Sequence, residues 1–205
     1  MELDRNWKAA GAHPEDFYAL AAVLRELEET SLVQGRARAA TLLAIGWARH
    51  MRGETARLAD LAKEALRLAN ESADLRMESD AQCLVADVHQ AQGQLKAAEA
   101  AFGEYLTISR RLAEQDPSNA GWQRELALAC VRLARAEART GENQAALKLY
   151  EESLLILTDL VARAPGFVTW QQDREVVEAE SKAFRKEHSW FSAIRERLGR
   201  LKIPF

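Results

Sequence analysis

Asp116-Pro117-Ser118-Asn119-Ala120-Gly121-Trp122-Gln123 reads as a loop running into a helix, and its punctuation returns downstream. Ala164-Pro165-Gly166-Phe167-Val168-Thr169-Trp170-Gln171 carries the proline and the Trp-Gln pair at the same places. Trp122 and Trp170 stand 48 residues apart, as do Pro117 and Pro165, and Gly93 and Gly141. In this frame Ala97-Ala98 aligns with Ala145-Ala146 and Phe102 with Tyr150, while Leu106, Ile108 and Leu112 align with Leu154, Ile156 and Leu160. Agreement of this length at one fixed offset is the signature of an internal repeat.

A diverged copy lies upstream. Gly53 stands 40 residues before Gly93, Leu58 takes the place of Ala98 and Ala146, and Ala62 replaces the aromatic. Each copy reads as two helices. Glycine suits the left-handed cap that closes the first. The second begins at once, with its small pair and its aromatic on one face. The prolines at 117 and 165 stop it in the last two copies. Oxygen-bearing side chains in Asp116-Pro117-Ser118-Asn119 are placed to cap the helix that follows.

The bulk composition agrees. The 205 residues are 48% hydrophobic and 29% charged, as expected of a folded chain rather than a disordered one. Glycine and proline are sparse, good helix formers dominate, and runs with strand periodicity are missing, so the chain reads as all-α. A net charge of -3 argues against nucleic acid as a partner. No apolar stretch suits a signal core or a membrane span, which makes cytoplasm the expected location. Cys83 and Cys130 sit inside helical patterns with no CxxC spacing and read as buried, reduced thiols.

The spacing predicts an entry helix over 14–30 and helix pairs over 33–52 with 54–71, 74–92 with 94–115, and 119–140 with 142–163. A closing helix is expected from Thr169 to about 187, with a shorter one from Ser189 to about Gly199. With no linker of low complexity, 1–205 reads as one domain. Its parts are an entry helix (14–30), repeats at 33–72, 73–116 and 117–164, capping helices at 165–200 and a tail at 201–205.

These residues resemble the tetratricopeptide (TPR) repeat in a long-unit bacterial variant. The resemblance rests on small residues at the helix crossings (Gly46, Ala86, Ala134) after large apolar ones (Ile45, Val85, Leu133). It rests also on the turn glycines Gly53, Gly93 and Gly141, and on Ala98 and Ala146 preceding Phe102 and Tyr150. It is closest over 79–173 and weaker over 33–72. The first-helix aromatics of the pattern are replaced by Leu42, Gln82 and Cys130, and by Arg49, His89 and Glu137. The resemblance implies a right-handed α-α superhelix with capping helices at both ends. It implies a non-catalytic module for protein–protein interaction, an adaptor or regulatory subunit taking a peptide or partner helix in a concave groove. Alternatives are a ligand- or peptide-responsive signalling regulator and a self-associating scaffold. The context of such bacterial repeats implies a signalling or caspase-like peptidase component as partner.

Of the four histidines, His13, His50, His89 and His188, none is spaced with another ligand as a metal site requires, and no catalytic or phosphate-binding motif is present. The chain therefore reads as neither enzyme nor metalloprotein, with no cofactor. The resemblance places the groove on the first helices, and the candidate partner-binding residues are Trp47, His50, Met51, Asp87, Gln90, Arg132, Arg135 and Arg139. Arg132, Arg135 and Arg139 share one helical face. They suit an acidic peptide or carboxylate, or else Arg132 and Arg135 pair with Asp87 and Asp80. Trp47 and Met51, one turn apart, form a partner patch or a packing contact with the entry helix. Trp190, Ile194 and Leu198 are expected to cover the last apolar face.

Overall fold

The computed structural model describes residues 35–54 and 57–200, with side chains as far as His188. Seven helices lie among the described residues, with no strand: α1 Gly35–Met51, α2 Leu58–Glu71, α3 Leu75–Ala91, α4 Leu95–Gln115, α5 Ala120–Thr140, α6 Asn143–Arg163 and α7 Val168–Arg200. They fall within a few residues of the expected helix pairs. The entry helix over 14–30, the tail, and the capping side chains Trp190, Ile194 and Leu198 lie outside the described residues.

The three turn glycines end their helices in the same way. Gly53, Gly93 and Gly141 have φ of 69°, 73° and 92°. Each donates its N–H three residues back, to the carbonyls of His50, Gln90 and Ala138, and the next residue donates five back, to Arg49, His89 and Glu137. This paired closure satisfies the carbonyls that a helix end leaves open, and it needs the left-handed conformation that glycine adopts without strain. At the far end of the last two hairpins the proline loops take over. Asp116 Oδ1 accepts from the Ser118 N–H at 3.1 Å and Asn119 Oδ1 from the Trp122 N–H at 3.2 Å, so Asn119 caps α5.

The Trp-Gln pair that marks the repeat also closes these loops. Gln123 Nε2 donates to the Ala113 carbonyl at 3.3 Å, and Gln171 Nε2 to the Pro165 carbonyl at 2.5 Å. Trp122 and Trp170 are both half-buried, and Trp170 stacks on Phe167 with ring centroids 4.5 Å apart.

The first copy solves the same problem with less chain. Its second helix, α2, has 14 residues where α4 and α6 have 21. Ala73, at φ 51°, makes the turn without a proline. Asp74 then caps α3, accepting from the Arg76 and Met77 N–H groups at 3.1 and 3.2 Å. The short α2 and tight turn explain why the first spacing is 40 residues rather than 48.

One expectation fails. The two closing helices are a single helix, α7, of 33 residues. The place 48 residues after Gly141 is Ser189. Serine lacks glycine's ease in the left-handed region, and no proline follows before Pro204. Nothing local stops the helix.

The chain divides into two compact units, Met1–Ile108 and Ser109–Phe205, the boundary falling within α4. In the first, α1, α2 and α3 pack on one another around Leu42, Leu43, Leu58, Leu61, Leu68 and Leu84. Alanines at 39, 62, 65, 69 and 81 complete this core. Small side chains allow the helix axes to approach, and leucines fill the remaining volume. In the second, α6 packs against both α5 and α7, and Cys130, Ala134, Ala146, Tyr150, Leu157 and Leu160 are buried.

Candidate functional site

Three of the expected partner-binding residues meet in the first unit. Trp47 and His50 lie edge to face on α1 with ring centroids 5.8 Å apart. Across the gap to α3, His50 Nε2 is 3.7 Å from Asp87 Oδ2. Asp87 is buried and His50 half-buried. Trp47 rests partly on the leucine core, so its indole is steered by packing beneath while its outer edge remains accessible. Met51 follows Trp47 by one turn and is 39% exposed, one of few large apolar side chains so placed. Gln90, half-buried one turn beyond Asp87, gives its carbonyl to the Gly93 turn. Together these residues present an indole, a thioether and an imidazole–carboxylate pair from two adjacent first helices.

The arginines lie in the second unit, along α5. Arg135 is held by Glu180 of α7 in a two-pronged contact, Nε to Oε2 at 3.0 Å and Nη2 to Oε1 at 2.6 Å. The sequence reading did not name this partner. Tyr150 is part of the same cluster. Burial pushes its hydroxyl above the usual range, as does the Glu180 carboxylate, while the Arg135 guanidinium and its hydrogen bond work against the shift. Arg132 is half-buried and Arg139 exposed. Arg139 stands in the last turn of α5, where a cation complements the helix dipole.

A further recurrent residue escaped the sequence reading. Arg36, Arg76 and Arg124 each stand seventeen residues ahead of their turn glycine. Arg36 Nη2 reaches Asp74 Oδ2 at 2.7 Å, and Arg124 Nε reaches Asp173 Oδ2 at 2.6 Å. In both cases a first helix is tied to the early part of the next first helix. The signal was legible as a fixed offset, but arginine is common on helix surfaces and the offset stands out only once its aspartate partners are known.

Cys83 and Cys130 are buried and neither is in a disulfide. Burial pushes the Cys130 thiol up to about 12, and the nearby Glu152 carboxylate adds to the effect. Among the described residues no group of three or more His, Cys, Asp or Glu side chains is placed to hold a metal ion, and no helix is long and apolar enough to cross a membrane.

No family model and no curated protein matches the chain significantly. Solved structures do match. A Podosopora anserina protein assigned as a kinesin light chain, built of nearly identical TPR-like repeats, is 20% identical with a TM-score of 0.54. The match covers 91% of this chain and 93% of that one. BtubC (BKLC) from P. vanneervenii is 16% identical with a TM-score of 0.51, over 84% of this chain and 72% of that one.

Proposed function

From a fold shared with the TPR-like repeat proteins, we propose that the chain is a non-catalytic protein-interaction module that takes a peptide or partner helix on the face of its first helices. In the finer form of this reading it serves as an adaptor or regulatory subunit. The observation that carries the reading is the Trp47, His50 and Asp87 cluster beside exposed Met51. An indole anchored on a core and rimmed by polar groups has the make-up of an interaction hot spot. In the second unit Arg132 and Arg139 supply cationic character on α5, while the Arg135 fork is already taken up by Glu180.

The test is affinity capture with the full chain as bait, followed by titration of the captured protein against Met51→Glu and Arg139→Glu. Both positions are exposed, so both variants should keep the helical signal. The expected result is a loss of about tenfold or more in affinity for at least one of them. Equal affinity of both variants and the native chain would place the interface elsewhere.

A further inference from the structure

The third hairpin is closed against the following helix by a side chain nine residues after its turn glycine. This is Tyr150, whose ring lies 5.9 Å from that of Phe184 on α7. A salt bridge between Glu151 and Arg185, at 3.1 Å, lies beside this aromatic pair. At the matching junction, between α2 of the first hairpin and α3, all four residues differ. Ala62 stands for Tyr150, Val88 for Phe184, Lys63 for Glu151 and His89 for Arg185.

The consequence is a recess of about 100 Å³ between α2 and α3, open on one side. Ala62 and Val88 form its floor, Val85 a wall, and Lys63, His89 and Gln94 its rim. Where the third hairpin sets two rings, this junction has an alanine and a valine, which fill less volume. The rim has gained a net charge as well. Glu151 and Arg185 neutralise each other, whereas Lys63 stands opposite a histidine and has no carboxylate at the matching place. His89 instead binds Gln94, Nδ1 to Oε1 at 2.6 Å.

We propose that this recess is a binding site for an aromatic side chain flanked by carboxylates on a partner protein. The chain itself shows what belongs there, since an aromatic ring occupies the corresponding place in the third hairpin. The Lys63 ammonium on the rim selects an acidic flank by charge complementarity. A space of roughly 150 Å³ encloses a whole benzene, so an open recess of this size accepts one ring without enclosing it. The site is separate from the Trp47 face and uses other positions of α3, so either can fail without the other.

The probe is a short acidic aromatic peptide, acetyl-Asp-Phe-Glu amide, titrated into the full ¹⁵N-labelled chain. Saturable shifts are expected at the amides of Lys63, Val85, Val88 and His89. A peptide with lysines in place of both acids should bind at least about tenfold more weakly. Ala62→Phe, which restores the missing ring, should abolish the shifts. Val88→Phe offers the same plug from the other helix should the first variant fold poorly, and Lys63→Glu should weaken binding with the recess intact. No shifts in the native chain, or undiminished shifts in both plugged variants, would overturn the proposal. So would concentration-dependent shifts at these amides without peptide, which would assign the recess to a second copy of the chain.

Discussion

A β-carbon placed on Gly46 would fall inside van der Waals contact with Cδ2 of Leu84. The glycine sits where α1 crosses α3, and Leu84 is fully buried, so its side chain would have to be re-seated within the core. Gly46→Ala therefore sets two effects against each other. Helix propensity favours alanine by about 1 kcal/mol, while overpacking a filled core costs about 1–3 kcal/mol. The steric effect should win, with a net loss seen as a lower urea midpoint at unchanged slope. Gly103→Ala is the control. It is interior to α4 with open space around its α-carbon, so only the propensity gain of about 1 kcal/mol remains and the midpoint should rise.

Ala73 holds a left-handed conformation that glycine would adopt freely. Its side chain is exposed, so no contact is lost on shortening it. The strain of about 1–2 kcal/mol exceeds the extra entropy that glycine brings to the unfolded chain. Ala73→Gly should stabilise the protein by roughly 0.5–1 kcal/mol, measured as a raised midpoint in chemical denaturation. A lower midpoint would mean that Ala73 is not strained.

Cys130 should be chemically silent in the folded chain. Its thiol is pushed from the ordinary 9.0 up to about 12, and the thiolate is the reactive form. In a Cys83→Ser background a thiol reagent at pH 8 should label Cys130 only as fast as the protein unfolds, and at full rate in denaturant. The sign of the linked pH effect follows. The unfolded thiol ionises first as pH rises past 9.0, so stability is complete below that and falls towards about 12. Cys130→Ala should flatten this part of the pH–stability curve.

Much of the fold was legible because its signals are local. Gly53, Gly93 and Gly141 act through their own backbone angles, and a residue's freedom at positive φ is a property of the residue. The same logic explains the missing break in the closing helix, where Ser189 occupies the glycine's place and α7 runs on. The candidate site was legible only in part. Trp47, His50 and Asp87 were named as members of one face, and they do meet. Glu180, which holds Arg135, was invisible, because a surface glutamate on α7 carries no local mark of what faces it.

The sequence alone determined the helix pairs as far as Arg163, the turn glycines, the 48-residue period and the small residues reserved for crossings. All of these depend on neighbours within a few residues along the chain or on a repeat that copies them. Only the tertiary structure decided which charges meet: Arg36 with Asp74, Arg124 with Asp173, Arg135 with Glu180. It alone showed that Ala62 and Val88 face the same gap. Such pairings depend on how two helices are rotated about their own axes when they pack, and that rotation is set by the whole buried interface rather than by any one segment of sequence.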